Sequence, residues 1–208
     1  KQVALMEQFP DTTLCGAQIM AFPETLKTPN VQLQYSVEEL ISGSCVHTST
    51  FFLRAAGFKI PACAFNSSGW DIILMVAAAL QGSVRCIPDT VSVYRIHELG
   101  LFRGKDYEGR YHWLLSAIKS LLTFVDENYV PAVRKKENVL QAAFCHELAY
   151  SGQLTRARML AWEVIRRLAL QNPRSALVLF FHVCLPRTFQ VVLNTWTRGK
   201  QRMVSTGE

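Results

Sequence analysis

The chain has 208 residues, with 22 Lys and Arg against 16 Asp and Glu, which gives a formal net charge of +6. Half of the residues are hydrophobic and 18% are charged, which excludes an intrinsically disordered chain because disorder requires low hydrophobicity and a high net charge. The contents of 11 Gly, 8 Pro and 6 Cys exclude a collagen-like chain and a small disulfide scaffold.

The cysteines occur singly, without a C-x-x-C pair, which argues against a zinc site or a thioredoxin-like motif. Most of them lie in apolar runs, so we expect reduced, buried thiols; they are Cys15, Cys45, Cys63, Cys86, Cys145 and Cys184. Residues 1–10 contain charges and a proline where a signal peptide would be apolar. The chain begins at Lys1 within an amphipathic pattern, so we interpret it as a fragment.

The first third of the chain contains short predicted elements. The apolar run 14–22 predicts a strand, and the polar residues 23–35 predict a loop. Ser36 to Glu39 form an S-x-x-E capping box that opens a short helix, and Gly43 is expected to end it. The segment 45–53 is rich in β-branched and aromatic residues, which predicts a second strand.

A second helix is predicted to begin near Asp71 and to end at Gly82. Its residues are apolar on nearly every side, which is typical of a buried helix. Two short extended segments follow, 84–87 and 91–96, separated by a turn at Pro88.

Helical periodicity dominates the remaining sequence, without a convincing internal repeat. Helices are predicted over 106–125, 131–151, 154–171 and about 174–196. We therefore predict an α/β region over 1–103 and an all-helical C-terminal extension over 104–208.

Asp71 is the first candidate for a chemical role. At the start of an apolar helix it can serve simply as a capping or first-turn residue that interacts with the helix dipole. It can also be a carboxylate at the edge of a cleft that acts as a general base toward a hydroxyl. The neighbouring Trp70 can stack on a sugar ring or belong to the core.

The segment Tyr94-Arg95-Ile96-His97 ends the predicted second extended segment. Alternation along a strand places Arg95 and His97 on one face, where they can bind a phosphate and a divalent metal or lie on an ordinary surface. His47 falls inside the predicted second strand, and we interpret it as a core histidine.

Residues 41–102, especially HTSTFFLR…SSGWDIILMVAAALQGSVRCIPDTVSVYRIH, resemble the C-terminal half of family 2 inverting glycosyltransferases of the GT-A fold. Members of that group have a strand ending in Arg, then an Asp that opens an apolar helix, then a Gly and an extended segment ending in Tyr-Arg-x-His. The same elements occur here in that order. The opening KQVALMEQFPDTTLCG is similar to the helix and strand that follow the metal-binding acidic motif of the family.

The resemblance implies a partial GT-A-like sheet with flanking helices. It implies that Asp71 is the catalytic base that deprotonates an acceptor hydroxyl, and that Trp70 and Arg95 contact substrate, with Arg95 facing the leaving nucleotide. His97 would help to hold a divalent metal, Mg²⁺ or Mn²⁺, or the diphosphate. In this chain Trp70 precedes the Asp and Ile72 follows it, whereas the bacterial relatives have an aromatic residue after it.

No D-x-D-type acidic motif precedes Asp71, so the nucleotide-binding half of such an enzyme is missing and the metal would be shared with it. We therefore expect the isolated chain to be inactive. The partners implied by the resemblance are a nucleotide-sugar donor and a glycan or lipid-linked acceptor, in surface polysaccharide or glycan biosynthesis at the cytoplasmic side of a membrane.

The C-terminal region combines apolar runs with arginines. The stretch 175–186 is too short to span a bilayer, but an apolar helix flanked by arginines suits an interfacial helix on anionic lipid. The alternative is a buried helix with solvated arginines. The basic residues form no clean stripe and no recognition motif is present, so we expect no nucleic-acid binding. The alternative function is a non-catalytic helical protein-interaction module built on residues 131–171.

Overall fold

The computed structural model describes residues 1–22, 30–43, 46–95, 97, 104–171 and 173–184. The fold is mixed α/β, as the sequence predicts, with mainly helical structure and a small mixed sheet. The chain divides into two compact units, Lys1–Glu137 and Asn138–Glu208.

The helices and strands are as follows: α1 Gln2–Gln8, β1 Thr12–Phe22, β2 Gln34–Tyr35, α2 Val37–Ser42, β3 Phe52–Leu53, α3 Trp70–Gln81, β4 Ser83–Arg95, α4 Tyr107–Leu121, α5 Val130–Tyr150, α6 Leu154–Gln171 and α7 Pro173–Cys184. Short 3₁₀ turns occupy Thr48–Thr50, Ala62–Asn66 and Glu127–Tyr129.

The described strands form a sheet in the order β2-β4-β1-β3. The long strands β1 and β4 are parallel, while β2 and β3 add antiparallel edges. Parallel neighbours need a crossover connection, and α3 lies in the connection from β1 to β4. The sheet is therefore built around one β-α-β arrangement.

Helix α3 supplies much of the core of the first unit. Its body is buried, with Ile73 and Val76 at 0% exposure, which confirms the sequence-based expectation of a buried helix. Leu14 of β1 and Val84 of β4 belong to the same apolar cluster. Ile118 of α4 joins this cluster too, so α4 packs in the core of the sheet-containing unit.

The end of α3 is held against the beginning of β1. The hydroxyl of Thr13 donates to the carbonyl oxygen of Ala78 at 2.7 Å. A Cβ at Gly82 would lie 2.4 Å from the carbonyl oxygen of Asp11, so the absence of a side chain allows this close approach. Helix α3 therefore ends beside the amino-terminal ends of β1 and β4, and it begins toward the carboxyl ends of these strands.

Several sequence predictions are confirmed. The capping box of α2 is present, because the Ser36 side chain accepts from the Glu39 N–H and the Glu39 carboxylate accepts from the Ser36 N–H. Gly43 ends this helix in the left-handed region with φ 114°. The predicted strand 14–22 corresponds to β1, and the predicted C-terminal helices correspond to α4 to α7, with residues 185–196 outside the described residues.

The predicted strand over 45–53 is wrong for most of its described length. Residues Thr48–Thr50 form a 3₁₀ turn instead. The hydroxyl of Thr50 donates to the carbonyl oxygen of His47 at 2.8 Å, and such local side-chain bonds compete with strand pairing. Phe52–Leu53 is the part that pairs with β1.

The two predicted extended segments after α3 form one strand, β4, and not two strands with a turn between them. The pairing with β1 moves from Ala17↔Ile87 to Gln18↔Thr90, so Pro88 and Asp89 lie in a bulge. Proline has no N–H to donate to the ladder and is tolerated at such a bulge.

The predicted boundary at residues 103/104, between the α/β region and the helical extension, stays a prediction. Contacts among the described residues group α4 and the start of α5 with the sheet, and the compact units separate at Glu137 and Asn138. No helix among the described residues is both long and apolar enough to cross a bilayer.

The described cysteine side chains are free thiols. Cys15, Cys86 and Cys145 are buried, and Cys63 is half-buried. This agrees with the expectation of reduced, mainly buried cysteines. The side chains of Cys45 and Cys184 lie outside the described part of the chain.

Candidate functional site

Asp71 lies in the first turn of α3 and is half-buried. One carboxylate oxygen, Oδ1, accepts from the Ile72 N–H at 3.0 Å. The other, Oδ2, accepts from the hydroxyl of Thr48 at 3.3 Å. A carboxylate has about four acceptor positions, and these two bonds orient the group while using about half of them.

Gly69 is the residue that directly precedes α3. A Cβ at this position would lie 2.4 Å from the Cβ of Ala117 in α4. A glycine therefore allows the chain to enter α3 in close contact with α4. The carboxylate of Asp71, two residues further on, depends on that contact for its position.

His47 precedes Thr48 in the chain, is half-buried, and lies near enough to the Asp71 carboxylate for its charge to act on the imidazole. Its Nδ1 accepts from the Ser49 N–H at 3.3 Å and lies 2.8 Å from the Ser49 hydroxyl. Burial lowers the pKa of His47, and the negative charge of Asp71 opposes this effect in part. The imidazole is therefore neutral at neutral pH, with the proton on Nε2.

Strand β4 completes the cluster. The ring centroids of Tyr94 and His47 are 4.6 Å apart and the rings are tilted by 58°. The hydroxyls of Ser49 and Ser92 are 2.7 Å apart. We use the name Asp71 cluster for Asp71 together with His47, Thr48, Ser49, Ser92 and Tyr94.

The Asp71 cluster lies toward the carboxyl end of β4, because Ser92 and Tyr94 are near the end of that strand. Ligands of open α/β sheets bind outside the carboxyl ends of the parallel strands. The position of the cluster therefore fits a binding or catalytic site better than a purely structural group of residues.

The other predicted site residues have different positions. Trp70 precedes Asp71 and is 46% exposed, so it does not belong to the core. Arg95 is exposed, and strand alternation places it on the face of β4 opposite to Tyr94. His97 is exposed as well. The structure thus brings Asp71 together with His47 and Thr48, and gives no contact between Asp71 and either Arg95 or His97 among the described residues.

The described residues do not by themselves form a metal site. Within the described ranges no group of three His, Cys, Asp or Glu side chains could hold an ion. His97 would supply one ligand, whereas Mg²⁺ and Mn²⁺ prefer several oxygen ligands. The shared divalent metal therefore stays a prediction, and no chemical step below depends on it.

Sequence reasoning found Asp71 and Trp70 but did not find the residues around them. It placed His47 in the core of a strand, and it gave no role to Thr48 or Tyr94. The signal that could have found them is the hydroxyl-rich string His47-Thr48-Ser49-Thr50, because four consecutive small polar or imidazole side chains favour a turn over a buried strand.

Comparison with known proteins gives relatives of unknown activity. The chain is similar to the proteins named "Uncharacterized protein Rv1520" and "Uncharacterized protein MT1570" of Mycobacterium tuberculosis, and to "Uncharacterized protein Mb1547" of Mycobacterium bovis. Each is 28% identical over 143 residues, which cover 60% of this chain and 39% of the relative. The chain thus spans about two fifths of the length of these curated relatives. No family model and no solved structure matches the chain.

Proposed function

We propose that the chain is the acceptor-side part of a nucleotide-sugar-dependent glycosyltransferase with a partial GT-A-like sheet. The observation that carries this proposal is the oriented carboxylate of Asp71. It lies at the start of a buried helix, toward the carboxyl end of the parallel strand β4, with the exposed Trp70 next to it. The family resemblance of residues 41–102 supports the same assignment.

In the proposed reaction, Asp71 accepts the proton of an acceptor hydroxyl. The acceptor oxygen forms a bond to the anomeric carbon of the donor sugar. The bond from that carbon to the phosphate oxygen breaks, and its electron pair leaves with the nucleoside diphosphate. A single displacement of this kind inverts the configuration, and a positioned general base typically contributes about 10²- to 10⁴-fold to the rate.

The other residues of the Asp71 cluster position the base. The Thr48 hydroxyl donates to Oδ2 at 3.3 Å, which fixes the plane of the carboxylate. His47 is neutral at neutral pH, because burial lowers its pKa, so it does not form a charged ion pair with Asp71. The ring of Trp70 offers an apolar face on which a sugar ring can stack. The proposed roles of Arg95 toward the nucleotide and of His97 toward a metal stay predictions.

The test uses the intact natural protein, including any segments outside this chain. The protein is incubated with an extract-derived or synthetic glycan acceptor and a panel of UDP-, GDP-, ADP- and dTDP-sugars with Mg²⁺ or Mn²⁺, and release of nucleoside diphosphate is measured. Asp71→Asn preserves the shape of the side chain and is expected to lower turnover by about 10²- to 10⁴-fold. Thr48→Val removes the orienting hydroxyl, and we expect a smaller loss.

Asp126→Asn is the matched control, because it removes the same charge from an exposed side chain that makes no capping hydrogen bond. It should leave turnover unchanged. Normal turnover by a folded Asp71→Asn protein would contradict the assignment of the base. Absence of release from every donor of the panel would contradict glycosyl transfer itself.

A further inference from the structure

The second unit carries an exposed stripe of residues on α6. Met159 is 72% exposed and Trp162 is 54% exposed. Arg158 and Arg166 are exposed on the same helix, one turn before and one turn after Trp162. Residues four apart are neighbours on a helix surface, so we use the name α6 stripe for Arg158, Met159, Trp162 and Arg166.

The α6 stripe points away from the packed side of its helix. The packed side consists of Ala157, Ala161, Val164 and Leu168, which are at most 7% exposed. At about 100° per residue, Met159 and Arg166 lie opposite this buried row, while Trp162 is about 130° and Arg158 about 90° from its centre. The stripe is therefore a second apolar surface on a helix whose core-facing surface is already used.

Specific contacts order the stripe. The guanidinium of Arg166 lies over the ring of Trp162, 5.3 Å from its centroid. The Nε of Arg158 donates to the carbonyl oxygen of Val183 in α7 at 3.5 Å. The aromatic ring thus lies against one cationic group, an arrangement that suits the boundary between a polar and an apolar phase.

Helix α7 presents further exposed apolar side chains. Leu177 is 56% exposed, Val178 is 47% exposed and Phe180 is 38% exposed, whereas Leu179 is 1% exposed and faces the packed side. Arg174 at the start of the helix is exposed. The outer side of α7 therefore combines apolar and cationic groups, as the α6 stripe does.

The charge of this segment restricts the partner. From residue 154 to residue 184 the sequence contains Glu163 as its one acidic residue and five arginines, namely Arg156, Arg158, Arg166, Arg167 and Arg174. A partner must accept large apolar side chains and bring negative charge to the flanking arginines. An anionic bilayer has both properties, with phosphates at the level of the arginines and acyl chains below them.

We propose that the α6 stripe binds an anionic lipid bilayer, with α6 lying in the interfacial plane. Tryptophan and arginine would lie at the level of the headgroups. The binding would be peripheral, along the surface of the bilayer, and α6 as described is not long and apolar enough to span it. This inference does not depend on the sugar chemistry proposed for the Asp71 cluster.

The test is co-flotation of the 208-residue chain with vesicles of phosphatidylcholine alone and with 30% phosphatidylglycerol. We expect binding to the anionic vesicles that weakens as salt is raised, and little binding to the neutral ones. Each arginine near an anionic surface changes affinity by about fivefold, so Arg158→Gln with Arg166→Gln should lower the partition coefficient by about 25-fold. Met159→Gln should weaken binding without changing its salt dependence.

Arg156→Gln is the matched control, because it removes one arginine from the same helix outside the stripe, where the side chain donates to Gln153 at 2.6 Å. It should lower binding by clearly less than Arg166→Gln, which removes the arginine opposite the buried row. Quenching of tryptophan fluorescence by brominated phosphatidylglycerol should decrease in Trp162→Phe. Thermal unfolding of each variant shows whether it remains folded.

Three results would overturn the proposal. They are equal binding to neutral and anionic vesicles, equal losses for Arg156→Gln and Arg166→Gln, and no binding to any vesicle. Sedimentation velocity tests the alternative that a second copy of the chain covers this apolar surface. Concentration-dependent dimers that disappear in Trp162→Phe and Met159→Gln would assign the surface to self-association and also overturn the proposal.

Discussion

The contact of Gly69 with Ala117 gives the sharpest test of how the fold positions Asp71. In Gly69→Ala the new Cβ would lie 2.4 Å from the Cβ of Ala117 and 3.6 Å from its Cα. Carbon atoms in favourable contact are about 3.5–4.0 Å apart, so the start of α3 and the middle of α4 must separate by about 1 Å or more. Gly69 has φ −105°, so an alanine there is not strained by its backbone conformation.

Overpacking of this kind typically costs about 1–3 kcal/mol, and we expect the free energy of unfolding of Gly69→Ala to fall by that amount. Ala117→Gly alone should cost about 1 kcal/mol, because glycine is unfavourable inside a helix. In the double variant the Cβ of residue 117 is absent, and the new Cβ of residue 69 lies 3.6 Å from the Cα of residue 117. The double variant should therefore be more stable than the sum of the single effects by about 1–2 kcal/mol.

The assay is urea unfolding of the chain and its three variants, followed by circular dichroism. A second cycle combines Gly69→Ala with Ala132→Gly, a helical alanine of the same unit that is not among the atoms nearest to Gly69. That cycle should be additive within about 0.5 kcal/mol. A neutral Gly69→Ala, or a cycle with Ala117→Gly that is as additive as the control, would refute the close contact.

Other residues give further tests. Burial raises the pKa of the Cys86 thiol to about 12, so iodoacetamide at pH 8 should alkylate the half-buried Cys63 before Cys86, as followed by peptide mass spectrometry; equal rates would contradict this burial. Burial lowers the pKa of His47 below 6.5, against the smaller opposing effect of the Asp71 charge. The unfolded chain therefore binds more protons, so the free energy of unfolding should fall as the pH drops below 6.5, and His47→Gln should flatten this dependence of the thermal midpoint; an unchanged slope would exclude His47 as its source. Arg134→Ala leaves the Glu137 carboxylate, which is 3% exposed, without the guanidinium at 2.8 Å and should lower the free energy of unfolding by about 1–3 kcal/mol in urea titrations; an unchanged midpoint would show that the ion pair has no net effect.

The relation between α3 and the sheet explains why the candidate site lies where it does. The end of α3 is held to β1 by the bond from Thr13 to Ala78, and the β-α-β connection requires the helix to run back along the strands. Asp71 at the opposite end of the helix is therefore carried toward the carboxyl end of β4.

Elements with strong local signals were predictable from the sequence. The capping box of Ser36 and Glu39 together with Gly43 determines both ends of α2, because the hydrogen bonds lie within a few residues. The apolar body of α3 predicts both a helix and its burial. In both cases the information lies within one segment, so no knowledge of the partner elements is needed.

Elements that depend on partners were not predictable in the same way. The segment around Thr48 has strand-forming residues, but its hydroxyls bond to their own backbone and it turns. Pro88 was expected to end a strand, whereas the bulge against β1 allows β4 to continue through it. At Pro88 the outcome depends on pairing with β1, a distant strand that the local sequence does not specify, whereas around Thr48 local hydrogen bonds override the strand-forming composition.

The amino-acid sequence alone determined the helices, the long strand β1, the burial of α3 and the position of Asp71 at the first turn of a buried helix, because these follow from spacing and from short-range hydrogen bonds. The tertiary structure alone decided the parallel pairing of β1 with β4 and the meeting of Asp71 with His47, which is 24 positions away (71 − 47 = 24). It also decided that Tyr94, and not Arg95, faces this cluster. The physical reason is that strand register and face are set by long-range packing, and a shift of one residue turns every side chain of a strand to the other face.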